Sequence, residues 1–295
     1  MLNFHTPTIE DRAWIQPVLS TAGGRGSEDA FGTLFIWSGA YHTEVCRHGN
    51  LVFTRYGRAA HTYGFPAGAK SPQELKEALL LLQAHTQETG EALRLWGMDK
   101  GEREQIEAVL PGFFRYSSTL DDSDYLYAPE DLISLSGRKY HSKRNHIARF
   151  RRTYSYTYEP VSAENLEDCR QVARAWCLAH GCGGGLKDEN CAIGKALDHF
   201  GDLAFVGGLI RIDGKAVAFT AGEAINDQVF DVHFEKALDG YDGLYPAINQ
   251  AFAEHALSGY RWINREEDMG LEGLRRAKAS YYPTEVLEKF TAVRE

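Results

Sequence analysis

The chain has 295 residues, 43% of them hydrophobic, and a formal net charge of −9, which is enough for two ordinary domains or one large one. No apolar run approaches the ~20 residues that a helix needs to cross a bilayer. The start, Met1-Leu2-Asn3-Phe4-His5-Thr6, has neither the basic nor the apolar region of a secretory signal; a soluble, cytoplasmic protein is expected, and the acidic balance argues against nucleic-acid binding over the whole surface.

Thr8 to Leu19 reads as an opening helix and Phe31 to Trp37 as a short one. Three strand-like runs follow, His42 to Arg47, Leu51 to Tyr56 and His61 to Phe65, with Gly49-Asn50 and Gly57-Arg58 as turns. Ser71-Pro72-Gln73-Glu74 carries the pattern of a capped helix start, and Leu75, Leu79 and Leu82 supply its buried stripe. Ala92 to Trp96 is a strand, Glu102 to Leu110 a helix and Phe113 to Ser118 a strand. The stretch from Leu120 to Ser136 separates the halves without a clear pattern of its own.

The second half repeats this order. Helices are expected over Ala163 to His180 and Leu186 to Phe200. Strands are expected over Leu203 to Ile212, Ala216 to Ile225 and Gln228 to Phe234, the first two joined by Asp213-Gly214-Lys215. A helix over Leu244 to Leu257, a strand over Tyr260 to Ile263, a helix over Leu271 to Ser280 and a strand over Thr284 to Phe290 complete the chain. The order helix, antiparallel meander, helix, strand, helix, strand describes an α+β fold of the N-acetyltransferase (GNAT) type, and its repetition predicts two tandem units, residues 1–125 and 126–295, with the site in the second.

Five cysteines without a secretion signal suggest reduced thiols. Cys177, Cys182 and Cys191 lie near His180, but the spacing fits no common zinc pattern, and no metal is expected.

Charge is distributed unevenly. Ile133 to Tyr158 contains no Asp or Glu, while Arg138 to Arg152 contains seven Lys or Arg. A helix there places Lys143 and Arg144 beside the apolar stripe of Tyr140, Ile147 and Phe150, and makes residues 138–152 the expected docking surface for a phosphate-rich partner, tRNA among them. The opposite character marks Asn264-Arg265-Glu266-Glu267-Asp268, a polar run at the end of a short apolar strand, where ligands sit in open sheets. Lys278 lies i+7 from Leu271 on the apolar face of the following helix.

Two meander strands end in ionisable groups, Glu223 on one and His233-Phe234-Glu235-Lys236 on the next. Strict alternation puts His233 and Glu235 on the same face. The helix after the turn Asp239-Gly240-Tyr241-Asp242-Gly243 has Tyr245, Ile248, Phe252 and His255 inward, with Asn249 flanking that stripe. A glycine-containing turn before a helix can cradle a pyrophosphate, but Asp239 and Asp242 would repel one. Coenzyme A is therefore the less expected cofactor.

These residues carry a resemblance. Lys143-Arg144-Asn145, Ala218-Phe219 with Gly222-Glu223, His233 to Ala237, Ile248-Asn249 and Ile263 to Asp268, with Lys278 and Tyr281 to Pro283, resemble the motifs of the phosphatidylglycerol lysyltransferase C-terminal domain family. The resemblance is strongest from about Leu132 onward. It implies two tandem GNAT-like domains related to Fem-type transferases that use aminoacyl-tRNA, and a transfer of an aminoacyl group onto a hydroxyl or amine. It implies aminoacyl-tRNA as donor, with no resident cofactor required. The acceptor stays open between a small molecule, a lipid headgroup and a peptide. Catalytic candidates are Glu223, His233, Glu235, Glu266, Glu267 and Asp268; substrate-binding candidates are Lys143, Arg144, Asn145, Lys236, Asn249, Asn264, Arg265, Lys278 and Tyr281. The competing readings are an acyl-CoA-dependent N-acyltransferase and a non-catalytic small-molecule or peptide-binding module on the same fold.

Overall fold

Two mixed sheets organise the chain. The structure is a computed structural model and describes residues 2–294. It begins with α1 (Arg12–Ala22), α2 (Phe31–Ile36), α3 (Ser38–Tyr41), β1 (Glu44–His48), β2 (Leu51–Tyr56) and β3 (Thr62–Tyr63). Then come α4 (Pro72–Thr89), β4 (Arg94–Met98), α5 (Lys100–Val109), β5 (Arg115–Ser118), β6 (Asp124–Tyr127), α6 (Pro129–Ser134), α7 (His141–Thr153) and β7 (Tyr156–Pro160). The remainder is α8 (Leu166–Ala179), α9 (Gly185–Asp198), β8 (Val206–Ile212), β9 (Lys215–Ala224), β10 (Val229–Ala237), α10 (Leu244–Phe252), β11 (Trp262–Asn264), α11 (Glu272–Ala279), β12 (Glu285–Leu287) and β13 (Phe290–Val293).

One sheet has the order β1-β2-β3-β4-β13-β5 and the other β12-β6-β11-β10-β9-β8-β7. Most pairs are antiparallel; β3 with β4 and β10 with β11 are parallel. This is the α+β, GNAT-like arrangement of helix-flanked mixed sheets that the element order predicts. Local sequence explains the elements. Ser71 caps α4 by accepting from the Glu74 N–H at 3.2 Å, with Pro72 at the first helical position. The Glu74 carboxylate accepts from Lys70 N–H rather than from Ser71, so the expected capping box closes one residue early. Leu75, Leu79 and Leu82 are buried against Phe53, Tyr63, Leu95 and Phe290. The β8–β9 hairpin turns at Asp213 and Gly214, both at positive φ, as a two-residue hairpin demands. The other core joins Phe150 of α7 and Ile248 of α10 to Ile210, Val217 and Ala218 of the sheet.

The chain divides into unit 1 (Met1–Tyr125, Glu266–Arg276, Val286–Glu295) and unit 2 (Leu126–Arg265, Ala277–Glu285). The element order alone places everything after 125 in one unit. The difference has a definite cause: the last expected strand breaks after Leu287, and β13 inserts between β4 and β5, pairing with both. A four-residue apolar run does not reveal which sheet it joins. The strands β6 and β7 are also additions. β7 is an edge strand with little contrast between its faces, which weakens any alternation signal. The cysteines differ as well. Cys177 and Cys182 form a disulfide (Cα–Cα 4.7 Å) at the end of α8, while Cys46, Cys169 and Cys191 are free. Their fold-imposed proximity is invisible to an argument from compartment alone.

Candidate functional site

Unit 2 positions its polar residues through a bulge. Asp231 of β10 lies opposite Glu223 of β9, Val232 opposite Gly222, and Phe234 opposite Ala221, so His233 is an extra residue. A bulge reverses the alternation that follows it. Gly222 is required at this point, because a Cβ there would collide with the Asp231 carbonyl. His233 and Glu235 therefore lie on opposite faces, contrary to the expectation from strict alternation.

On the face towards α8 and α9, His233 Nε2 is 3.1 Å from Glu223 and Nδ1 is 3.5 Å from Asp231, all three side chains being shut off from solvent. Phe205 packs against the imidazole at a ring separation of 5.1 Å. Lys236 shares this face: its Nζ is 2.7 Å from Glu189 of α9 and 3.8 Å from the ring centroid of Trp176 of α8. Asn264 is fully buried and lies opposite Asp231 in the parallel β10–β11 ladder.

On the face towards α10, Glu235 is held by two partners. Asn249 Nδ2 donates to one carboxylate oxygen at 3.0 Å, and Arg265 Nη2 donates to the other at 3.2 Å. The Arg265 guanidinium stacks on Tyr281 at 4.9 Å and approaches Tyr127 at 5.6 Å. Lys143 from α7 reaches the same Tyr281 ring, with Nζ 3.8 Å from its centroid. Burial lowers the Lys143 amine to about 8, aided by repulsion from Arg265 and opposed by Glu235. Burial also works against the Arg265 guanidinium, but Glu235 and the two phenols hold it above its ordinary value. Buried polar atoms without hydrogen-bond partners among the described residues gather here: Arg265 Nη1, Asn249 Oδ1, and the hydroxyl of Thr220, which is paired across the sheet with Glu235.

A supporting ring of hydrogen bonds fixes this cluster. Lys278 Nζ donates to the Arg265 carbonyl. The Tyr127 hydroxyl donates to the Lys278 carbonyl and the Tyr140 hydroxyl to the Tyr281 carbonyl, each at 2.8 Å. Lys278 is buried as the helical spacing predicts, although Leu271 at the head of that stripe is exposed. In α10, Ile248, Asn249 and Phe252 are buried and Tyr245 is not; His255, in the π-helical turn Ala253–Leu257 that follows, is exposed.

Glu267, Asp268, Arg144 and Asn145 lie elsewhere. The eight residues expected to converge, Glu223, His233, Glu235, Asn264, Arg265, Glu266, Glu267 and Lys278, fall into separate groups because the polar run divides at Arg265. Glu266 (φ 58°) begins a segment of unit 1. Glu267 is 3.9 Å from Lys289, whose amine is also 2.7 Å from both Glu28 and Asp124. Burial raises Glu28 to about 8 and Glu267 to about 7, against the pull of Lys289. Asp268 is bound by Arg275 and by the Tyr125 hydroxyl at 2.6 Å; the Arg275 hydrogen bonds lower it to about 2. In the basic helix, Arg144 donates to the carbonyls of Leu135 and Gly137, fixing the left-handed end of α6. Asn145 is exposed and pairs with His141. Asp242 is 2.7 Å from Arg149, and Asp239 is 3.9 Å from His180, so the acidic turn has basic neighbours. Gly243, at the N-terminus of α10, sits against the His146 carbonyl with no room for a side chain.

Sequence reasoning misses Tyr127 and the Lys289 network. The run Tyr125-Leu126-Tyr127 before Pro129 is a usable strand signal for the first. The Lys between Leu287 and Phe290 is a weak signal for the second, since a cation between apolar residues needs carboxylate partners if it is buried.

Two helix-flanked mixed sheets of this order define the class of α+β, GNAT-like folds. The chain belongs to the phosphatidylglycerol lysyltransferase, C-terminal family, which it matches over residues 21–293. A conserved protein of unknown function from Bacteroides thetaiotaomicron VPI-5482 is similar at 34% identity over 100% of both chains, with a TM-score of 0.94. L-PGS from Bacillus licheniformis is similar at 14% identity over 96% of this chain and 92% of that one, with a TM-score of 0.68. FemX is similar at 10% identity over 98% and 96%, with a TM-score of 0.63. The last two likenesses are of fold. None of the curated proteins compared with the chain matches it in sequence. Among the described residues, no helix is long and apolar enough to cross a membrane.

Proposed function

We propose that the protein is an aminoacyltransferase that moves an aminoacyl group from aminoacyl-tRNA to a hydroxyl or amine acceptor, with the chemistry at the Glu235–Arg265 cluster. The family and the fold point to acyl or aminoacyl transfer. The observation that carries the finer reading is the geometry of Glu235, oriented by Asn249 and Arg265, with Lys143 over the Tyr281 ring.

Ester aminolysis or transesterification needs an oriented nucleophile, a proton acceptor and stabilisation of an oxyanion. A carboxylate held by two donors is a fixed acceptor for the nucleophile's proton. Arg265 and Lys143 are cations facing the place where negative charge develops. Lys278 and Tyr127 are positioning residues, because they hold the backbone that carries Arg265. The exposed basic side chains of α7 bind the tRNA in this reading, and the charged tRNA pool places the protein in the cytoplasm. The two carboxylates of the turn before α10, Asp239 and Asp242, favour a donor other than coenzyme A.

The test is transfer of radiolabelled amino acids from a full set of charged tRNAs into lipid, peptide and small-molecule fractions of a cell extract. Label should enter one fraction with wild-type protein and not with Glu235→Gln. Absence of transfer from every charged tRNA, together with thiol release from acetyl-CoA, would replace the reading with acyl-CoA chemistry.

A further inference from the structure

The cluster facing α10 holds more positive charge than its carboxylate balances. Lys143 and Arg265 approach one ring, Tyr281, at 3.8 and 4.9 Å. The carboxylate between the strands and α10, Glu235, already has both oxygens engaged by Asn249 and Arg265. Lys143 makes no hydrogen bond or ion pair among the described residues, and Arg265 Nη1 is buried without a partner among them. A cation over an aromatic face gains attraction from the ring, but the ring offers no lone pair to these N–H groups. Two cations beside one tyrosine ring, each with donors to spare, match a group with two or more oxygens and a negative charge.

We infer that the Lys143–Arg265 pair binds an oxyanion, a carboxylate or phosphate group carried by the substrate. Asn249 Oδ1, buried and unpartnered among the described residues, accepts a hydrogen bond from a hydroxyl or amine of the same molecule. A cationic side chain of the lysyl kind is disfavoured here: it would meet two cations, and the one carboxylate is already held by Asn249 and Arg265. The inference rests on the transfer reading only in calling the bound molecule a substrate. Burial of Lys143, which lowers its amine, adds to the case, because a bound anion restores the charged form that burial penalises.

Calorimetry at low salt with three probes tests this: glutarate for a carboxylate, sn-glycerol 3-phosphate for a phosphate, and cadaverine for a lysyl side chain. Wild-type protein should bind at least one anion and not cadaverine, and the anion that binds identifies the source of the charge. Lys143→Gln, on the half-exposed face of a helix, should weaken that binding tenfold or more with an unchanged melting temperature. Arg265→Gln should do the same if it folds. Binding of cadaverine, binding of neither anion, or anion affinity unchanged by Lys143→Gln would each overturn the inference. Failure of the transfer reading shows separately: no charged tRNA donates label, while anion binding and its sensitivity to Lys143→Gln persist.

Discussion

His233 and Glu235 stand two residues apart on β10 and serve opposite faces of the sheet: His233 meets Glu223 and Asp231, whereas Glu235 meets Asn249 and Arg265. The extra residue at the bulge, opposite Gly222, produces this separation. Gly222→Ala should cost about 1–3 kcal/mol or more, as overpacking against backbone does. Chemical denaturation measures it. A variant as stable as wild type would mean that the bulge can relax, and that the division of the two faces is not fixed by this glycine.

Glu235→Gln keeps the shape of the side chain and removes its charge. Transfer should fall by about 100- to 10,000-fold, the range for loss of a general acid–base group, with circular dichroism unchanged. A variant of near wild-type rate would place the chemistry elsewhere in unit 2.

The Lys289 network makes a prediction about pH. Burial holds Glu28 near 8 and Glu267 near 7, well above the ordinary 4.5. The folded state therefore keeps protons that the unfolded chain releases. The associated stability is full below about 4.5 and is lost as pH rises towards 8. Melting temperature should fall between pH 5.5 and 8.5, and Glu28→Gln should flatten the decline. An unchanged slope in that variant would remove Glu28 from the account.

Asp268 gives the opposite dependence. Its carboxyl is lowered to about 2, chiefly by the hydrogen bonds from Arg275. That contribution is present above the ordinary 3.8 and is lost as pH falls towards 2. Asp268→Asn should lower the melting temperature at pH 7, and the gap between variant and wild type should close in strong acid. A gap of equal size at pH 7 and pH 2.5 would assign the loss to packing instead.

The basic helix needs a different test from the one its sequence suggests. Arg144 holds the end of α6, so reversing its charge would confuse folding with binding. Arg138 and Arg152 are exposed. Reversing both to Glu should weaken tRNA retention and reduce the slope of log affinity against log salt by about 0.7–0.9 for each phosphate no longer neutralised. Retention that ignores this double change would leave the helix without a polyanion role.

The meanders, the α4 cap and the buried Lys278 are legible in the sequence because each follows from local periodicity or turn chemistry. The Glu235–Arg265 pair is only half legible. Its members stand out as candidates, but their partners follow neither from alternation, which a bulge defeats, nor from closeness in sequence. Arg265 and Glu267 are two residues apart, yet their partners belong to different units. That division depends on which sheet recruits β13 and on where β6 pairs, and neither is encoded within any window short enough to read by pattern.

The position of β13 also sets an order of events during synthesis. Its four residues lie between β4 and β5, yet they are made only after all of residues 126–265. Until then β4 and β5 each expose an edge that later needs β13, and the sheet of unit 1 cannot close. Such long-range pairing slows folding and leaves strands open to wrong partners. The half of the chain that emerges first is thus the half that must wait, so ending translation before residue 290 should leave unit 1 unfinished even with unit 2 fully made.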